Sequence, residues 1–495
     1  MEKARRFASL GPEDGRTVYT RTPGAHSSPI ERKDIDMAAT ASVADRPRLV
    51  PPVPVPPERE LPILPFIRKM RTNGIECWPK AAYELPVFRR RVLGKTRLTV
   101  SEPEAVRRVF VDNAENYVRS PISIRMLQPM LGQGLLLSAG SAWRHQRRTL
   151  APAFTPKAIE LLVPHILSAT DETIRDLEQA APRGSVDLFG ALQHMALEIA
   201  GRTMFSVGMK RHGEALRGFV QEYSESLGRP NMLDVLLPLS VPSPWDLPRN
   251  RFRRRWTGFL DGVIADRGSG STGAARDLLD LLSAARDPES DEAFSPENLR
   301  DQVATLILAG HETTALTLLW ACTMLALAPE VQETVFAEAR ADPQDATSLA
   351  RLPYTRTVID ETLRLYPAAF IMARLAVGPD TLAGEPVRAG DIVAVAPWLL
   401  HRHRALWDDP DAFDPSRFLP GASPVPRFAY LPFGAGPRIC IGASFALTEA
   451  VLALAGLVRN FRIELAQTRP VLPAAVVTTQ PDHAPAFRLI PRRGS

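Results

Sequence analysis

Cys440 has the surroundings that most suggest chemistry in this sequence. It lies in the segment FGAGPRICIGASFA at 433–446, ahead of a helical pattern, and Arg438 precedes it by two residues. Positive potential from a helix N-terminus and an arginine favours a thiolate, and Phe433 can exclude water from the sulfur. Taken alone, such a cysteine is more often an inert buried thiol. Three glycines allow tight backbone turns and a close approach to a flat group: Gly434, Gly436 and Gly442.

A carboxylate and an arginine in DETLRLYP form the second candidate group. Glu361 and Arg364 are three residues apart on a predicted helix, so they face the same side and can pair. Pro367 ends that helix, and Arg417 follows downstream in DPSRF. One carboxylate between two guanidiniums would lock the chain around the cysteine segment. The alternative is a surface ion pair worth about 0–1 kcal/mol.

Polar residues also interrupt the longest apolar stretch, 303–328. The run Ser-Pro-Glu at 295–297 supplies an N-cap, a first-turn proline and a first-turn acid, which predicts a helix from there to Ala328. His311 and Glu312 argue against a membrane span, because a charge at bilayer depth costs about 2.5–3.5 kcal/mol. The pattern therefore predicts a buried central helix, and its polar midpoint, AGHETT, requires an explanation.

Helical spacing of apolar residues dominates the chain from 105 to 367 and again from 443 to 460. A smaller β portion is indicated by β-branched residues with Gly and Pro between them, near 60–100, 374–398 and 462–492. The predicted fold class is therefore mainly α with a small β portion (α+β). Residues 1–45 lack periodicity and are predicted to be disordered, whereas 46–495 are predicted to form a single domain.

Composition and charge exclude several classes of protein. The 495 residues are 45% hydrophobic and 23% charged, which excludes wholesale disorder and fibrous repeats. The net charge of +5 is too small and too dispersed to indicate nucleic-acid binding. The three cysteines are too widely spaced for a disulfide framework, and the N-terminus lacks the apolar run of a secretory signal. A cytoplasmic protein without a membrane span is expected.

Together, these motifs resemble the cytochrome P450 haem-thiolate monooxygenases of the soluble bacterial type. The cysteine segment, AGHETT, ETLR and DPSRF are joined by AWRHQRR at 142–148, in that family's order and spacing, from about residue 50 onward. The FxxGxRxCxG pattern is specific, whereas ExxR is weak alone. The resemblance implies the cytochrome P450 fold, a large helical domain around a buried haem with a long central helix.

The resemblance also implies which residues hold haem b. Cys440 would be the axial ligand of the iron, and its thiolate would favour cleavage of the O–O bond. Phe433 and the three glycines would surround the ligand. Cationic and polar donors suit the two haem carboxylates, and by position these would be Arg438, Trp143, Arg147 and Arg374.

On the opposite side of the haem, the resemblance assigns oxygen chemistry to the central helix. Gly310, beside Ala309, would open a groove for O₂. Glu312 and Thr313 would form an acid–alcohol pair that relays protons from water. The alternative is that Thr313 bonds back to the Ala309 carbonyl and only bends the helix.

By the same resemblance, the substrate would lie over the haem. Residues 126–136 on a lid loop and a turn at 482–485 would border it. The mostly apolar lining implies a hydrophobic substrate such as a fatty acid, a terpenoid or a polyketide-like compound. The remaining lining residues would be Leu308, Thr314, Ala369, Phe370, Ile371 and Met372.

Electrons would come from separate proteins, since no flavin- or nicotinamide-binding segment is found and neither flavin nor NAD is expected to be bound. A basic face formed by Arg144, His145 and Arg148 would dock a ferredoxin or flavodoxin-like donor with its reductase. The alternative for that face is simple solvation. The alternative function is a haem-thiolate sensor or ligand-sequestering protein without turnover, and the intact Glu312–Thr313 pair argues against it.

Overall fold

Apolar side chains at helical spacing form most of the regular structure, and polar caps begin several of the helices. Ser295 and Thr155 each precede a proline, and each hydroxyl accepts a hydrogen bond from the backbone N–H three residues ahead. The computed structural model describes residues 48–492, except 93, 207–211, 229–230, 232, 235–236, 268–274 and 341–344. The extension predicted to be disordered, 1–45, lies outside the described residues.

Fourteen α-helices can be bounded within the described part of the chain. They are α1 (Ile63–Thr72), α2 (Pro103–Arg107), α3 (Pro121–Leu131), α4 (Gly140–Leu150), α5 (Pro156–Ala180), α6 (Leu188–Phe205), α7 (Gly213–Glu222), α8 (Asp246–Arg267), α9 (Leu278–Ala284), α10 (Pro296–Leu327), α11 (Pro329–Ala339), α12 (Pro353–Leu365), α13 (Pro397–Leu400) and α14 (Ala443–Asn460).

The central helix is α10, which has 32 residues and ends one residue before the predicted boundary at Ala328. All residues from Thr314 to Leu325 are buried, because α10 packs against α6 and α14 in the middle of the main core. A helix of this length spans roughly 48 Å at 1.5 Å per residue. It therefore connects the periphery of the protein to the polar AGHETT turn inside it.

Twelve short strands form four sheets in the described residues. They are β1 (Val87–Val92), β2 (Lys95–Val100), β3 (Tyr117–Arg119), β4 (Ser185–Val186), β5 (Met372–Ala376), β6 (Asp380–Leu382), β7 (Glu385–Val387), β8 (Ile392–Val395), β9 (Phe461–Leu465), β10 (Pro473–Ala475), β11 (Thr479–Pro481) and β12 (Phe487–Pro491). The largest sheet has the order β1-β2-β8-β5-β3, and only its β2–β8 pair is parallel. The others are β4-β12-β9, β10-β11 and β6-β7.

The β portion differs from the prediction at two places. Residues 60–86, predicted as β-rich, instead contain α1 and two short 3₁₀ turns, at Gly74–Cys77 and Lys80–Tyr83. The short strands β3 and β4 lie inside the region predicted to be helical. Their three and two residues are too few to produce an alternating pattern in the sequence, and pairing with β5 and β12 determines their conformation.

Among the helices that the structure describes, α10 and α14 are long and apolar enough to cross a membrane by length and composition alone. Most of the residues in their apolar windows are buried inside the protein. Both have the properties of core helices, which pass the same test.

Candidate active site

A cavity of about 710 Å³ lies between the cysteine segment and the central helix α10. One wall contains Cys440, Phe433, Gly434 and Gly442, and the α10 wall contains the segment from Leu308 to Gly310 together with Glu312 to Thr314. The start of β5 and the residues before it close a third side. The sequence motifs at 309–314 and 433–442 therefore border one space.

Backbone geometry positions the cysteine segment. Gly434 and Gly436 have φ of 75° and 71°, which side chains other than glycine rarely adopt. A Cβ on Gly436 would lie 1.9 Å from the carbonyl oxygen of Phe110, so this glycine packs against backbone. Gly436 does not border the cavity, contrary to the prediction that it surrounds the ligand. The Cys440 N–H donates to the Phe433 carbonyl at 2.9 Å, which closes the loop just before α14.

The Cys440 thiol opens onto the cavity, and its electrostatics differ from the expectation of a thiolate. Burial raises the pKa of Cys440, while the N–H of Gly442 and the charge of Arg147 lower it. The Arg438 guanidinium lies 4.5 Å from the centre of the Trp143 ring and donates to the Ser138 carbonyl. A cationic metal would deprotonate such a thiol on coordination.

Four arginines border the cavity at the edge of the cysteine segment. Arg147 donates to the Ile439 carbonyl at 3.0 Å, and Arg374 donates only to the carbonyl of its own neighbour, Ala373. Arg438 Nη1 and Arg119 Nε have no hydrogen-bond partner among the described residues. Burial and the neighbouring cations lower the pKa of Arg119 to about 9 and that of Arg374 to about 10. Unpaired buried guanidiniums are the donors that two carboxylates of a haem would satisfy.

Arg119 was not identified from the sequence. It occupies the strand β3, directly opposite Arg374 on β5. No spacing in the sequence links residues 119 and 374, so only the strand pairing places the two guanidiniums together.

On the α10 wall, Glu312 and Thr313 both border the cavity but are not hydrogen-bonded to each other. Thr313 Oγ1 donates to the Ala309 carbonyl at 2.6 Å, as in the helix-bending alternative. Glu312 Oε1 accepts from Thr478 Oγ1 and Gln480 Nε2, both at 2.8 Å. A Cβ on Gly310 would meet nothing within 4 Å, so the helix backbone there faces open space.

Thr314 has a partner that the sequence did not indicate. Its Oγ1 donates to Glu449 Oε2 at 3.3 Å, and both residues border the cavity. Glu449 lies on α14, is buried, and has no cation beside it, so burial raises its pKa to about 8. A single acid in the apolar run ALTEAVLALAGL was the available signal.

Several of the residues predicted to face a substrate border the cavity, and others do not. Leu308 and the four residues from Ala369 to Met372 border the cavity. Residues 126–131 belong to the end of helix α3, so only the rest of the segment 126–136 is a loop. The 482–485 turn does not reach the cavity, because the loop joining β10 to β11, residues 476–478, fills that position.

Glu361, Arg364 and Arg417 meet in the interior of the protein. Arg364 makes two 2.7 Å bonds to the Glu361 carboxylate and donates to three backbone carbonyls, with neither side chain exposed. Arg417 Nε lies 3.4 Å from Glu361, which also accepts from the Asp414 N–H at 2.8 Å. The surface-pair alternative is therefore wrong for this geometry.

The basic residues of helix α4 are more strongly paired than predicted. Arg148 and His145 both bond to the buried Asp287, at 2.8 and 2.7 Å. These bonds, with the Glu289 N–H, hold the pKa of Asp287 well below its usual range. Arg144 lies 3.8 Å from the highly exposed Glu115. The face is thus neither free nor simply solvated.

Comparison with known proteins gives a consistent result. Residues 63–483 match the family model Cytochrome P450. Cyclooctatin synthase from Streptomyces melanosporofaciens is 34% identical over 406 residues, 79% of this chain and 84% of that protein. Cyclooctat-9-en-7-ol 5-monooxygenase from the same organism is 32% identical over 379 residues, 75% and 81% of the two chains. The crystal structure of the cytochrome P450DA heme domain superposes with a TM-score of 0.73 at 26% identity, covering 90% of this chain and 99% of that one.

Proposed function

Because the chain belongs to the cytochrome P450 family, we propose that it hydroxylates or epoxidises a hydrophobic small molecule with O₂, using electrons from separate redox proteins in the cytoplasm. The observation that carries this proposal is the shared cavity. It has the Cys440 thiol on one wall, a polar turn of α10 on another and unpaired guanidiniums at its edge. Apolar side chains form most of its remaining surface, which suits a hydrophobic substrate.

The donor set suits a haem, which when bound supplies the activation of O₂. Cys440 would ligate the iron, and the four arginines at the edge of the cysteine segment would bind the propionates, Arg119 and Arg438 through donors that otherwise lack partners. The buried Glu361–Arg364–Arg417 group would hold the chain beneath the cysteine segment. The role of each of these residues is part of the proposal.

Glu312 and Thr313, on the α10 wall of the cavity, would deliver protons. Glu312 is oriented by Thr478 and Gln480, so its carboxylate can hold a proton beside the cavity. Thr313 Oγ1 can exchange its 2.6 Å bond to the Ala309 carbonyl for a bond to water in the cavity. A water chain between the two side chains would then connect them without a direct contact.

An acidic ferredoxin or a flavodoxin-like protein, with its reductase, would supply electrons near α4. The exposed Arg144 offers a contact surface there, and Arg147, one turn further along α4, donates to the carbonyl of Ile439 next to the cysteine. Product formation with a surrogate ferredoxin and reductase would distinguish a monooxygenase from a sensor that binds haem without turnover.

The ferrous–CO spectrum tests the proposed function. The purified protein should give a Soret band at the long-wavelength position typical of thiolate ligation, and Cys440→Ala should abolish it. Cys322→Ala is the matched control, because Cys322 is buried in α10 away from the cavity and its loss should leave the band intact. Retention of the band in Cys440→Ala would overturn the assignment.

Thr313→Ala tests proton delivery. Coupling of reductant consumption to product should fall and peroxide release should rise, because protons reach the cavity less efficiently. Thr323→Ala is the control, since Thr323 makes the same bond to the carbonyl four residues back, at 2.8 Å, outside the cavity. Equal coupling in both variants would limit Thr313 to a role in helix shape.

A further inference from the structure

A buried histidine outside the cavity bridges helix α12 and the chain that precedes Cys440. His401 directly follows α13, is fully buried and does not border the cavity. Its Nδ1 lies 3.1 Å from the Arg364 carbonyl oxygen, and its Nε2 lies 2.8 Å from the backbone nitrogen of Leu431. The ring therefore connects the end of α12 to a residue nine positions before the cysteine.

The two bonds define one tautomer of the His401 ring. A carbonyl can only accept a hydrogen bond and a backbone N–H can only donate one, so Nδ1 carries the proton and Nε2 accepts. Burial and the nearby Arg364 guanidinium lower the pKa of His401 to about 3, so the ring is neutral at pH 7. Both ring nitrogens are thus used, and together they fix the orientation of the ring.

On one side, the ring is attached to the buried ion pair of α12. Arg364 Nη1 donates to the His401 carbonyl at 2.8 Å, while the Arg364 carbonyl accepts from the His401 ring, so the two residues are bonded in both directions. Glu361 accepts two 2.7 Å bonds from the same guanidinium. Because all three residues are fully buried and bonded, His401 has little freedom to move relative to α12.

On the other side, the ring is attached to a stretch of chain that lines the cavity. Residues 431–435 and 438–442 all border the cavity. The Gly434 N–H donates to the Leu431 carbonyl at 3.2 Å, and the Cys440 N–H donates to the Phe433 carbonyl at 2.9 Å. Two backbone turns therefore connect the residue that His401 holds to the residue that carries the thiol.

We propose that His401 is a positioning residue for Cys440, because its bond to the Leu431 N–H fixes the cysteine segment relative to α12. The inference rests on the proposed function, since the thiol that it positions is the proposed ligand of the iron. Leu431 is buried, and its N–H has no other acceptor in the described part of the chain. Without the ring, this N–H would be buried and unpaired, and a shift of the segment that relieves the cost would also displace the thiol.

Two amide variants, each replacing one ring nitrogen, test this role. In His401→Gln the amide oxygen reaches the position of Nε2 and can still accept from Leu431, whereas in His401→Asn the amide reaches only the position of Nδ1 and can donate to Arg364. The measurement is the rate at which the long-wavelength ferrous–CO band is lost at a fixed temperature. That rate should stay within about twofold of the parent in His401→Gln. In His401→Asn it should rise about tenfold or more, as expected when a buried N–H loses its acceptor.

His403 supplies the matched control, two residues further along the chain. It is also buried, and its ring has the same kinds of partner: Nε2 lies 3.2 Å from the Leu85 carbonyl oxygen, and Nδ1 accepts from the Ala405 N–H at 3.3 Å. Neither partner belongs to the cysteine segment. His403→Asn should therefore leave the rate of band loss within about twofold of the parent, although it also removes a buried hydrogen bond.

Chemical denaturation of the haem-free proteins separates positioning from general stability. A merely structural role predicts that the rate of band loss follows the loss of unfolding free energy across His401→Gln, His401→Asn and His403→Asn. That correlation, slow loss in His401→Asn, fast loss in His401→Gln, or failure of either His401 variant to fold would overturn the inference. Absence of the long-wavelength band in the parent would instead refute the proposed function.

Discussion

Two arginine pairs sit across neighbouring strands of the largest sheet, one on each face. Arg119 and Arg374 join β3 to β5, and Arg90 and Arg97 join β1 to β2. Each pair places like charges opposite each other, and each borders the cavity. Like charges directly opposite each other on paired strands destabilise a sheet unless a counter-charge compensates them.

The buried Arg364 provides the contrast. Its guanidinium is fully bonded, to the Glu361 carboxylate and to three carbonyls, and it does not border the cavity. The charge of Arg364 is thus compensated within the chain, whereas Arg119 and Arg374 border the cavity and have no acid partner among the described residues. The comparison predicts different consequences for mutating the two kinds of site.

The largest effect is expected from Glu361→Gln. The change leaves Arg364 and Arg417 buried without a counter-charge, which should lower the free energy of unfolding by about 3–5 kcal/mol. Chemical denaturation and the haem content of the purified protein measure it. Glu385→Gln is the control, because its partner Arg89 is exposed and the loss should stay below about 1 kcal/mol. Similar losses of unfolding free energy in Glu361→Gln and Glu385→Gln would contradict the expected difference between the buried and the exposed ion pair.

An intermediate effect is expected from Arg119→Gln. The rate of haem loss, measured by transfer to apomyoglobin, should rise about tenfold or more, because a charge-assisted bond to a propionate is removed. The melting temperature of the haem-free protein should not fall, since Arg119 has no acid partner. Arg144→Gln, an exposed change on α4, should alter neither quantity. Destabilisation of the haem-free protein by Arg119→Gln would make Arg119 structural.

A smaller, pH-dependent effect on stability is expected for Glu449, a buried acid that has no cation beside it. The pKa of Glu449 is about 8 in the folded protein, against an ordinary value of 4.5. Between these values the folded state holds more protons than the unfolded state, so the stability contributed by this group is lost as pH rises. Glu449→Gln should lack that decline, and its melting temperature relative to the parent should increase from pH 5 to pH 8. Melting temperatures of Glu449→Gln and the parent that change in parallel with pH would contradict the raised pKa of Glu449. Glu330→Gln is the control, because Glu330 is exposed, and its melting temperature should run parallel to that of the parent.

The sequence predicted the elements whose signals are local. The Ser-Pro-Glu run placed the start of α10, and the FxxGxRxCxG and ExxR patterns marked residues that the fold brings to the cavity or joins in a buried ion pair. Glycines 434 and 436 also carried a local signal, because their backbone requires positive φ.

Pairings between distant segments were not predictable from the sequence. Arg90 and Arg97 read as polar positions of two ordinary strands, and only their register makes them opposite. Glu312 accepts hydrogen bonds from Thr478 and Gln480, which lie more than 160 residues further along the chain. The 482–485 turn was misplaced because the weak strands β10 and β11, three residues each, give no sequence signal for the loop between them.

Asp287 bears on the proposed docking of a redox protein at α4. Its buried carboxylate neutralises Arg148 from within, which leaves Arg144 and Arg147 as the arginines of this helix without a buried acid. If a donor binds there as proposed, long-range attraction would contribute less to its recognition than three uncompensated arginines would give. The encounter rate would then fall less steeply with rising ionic strength.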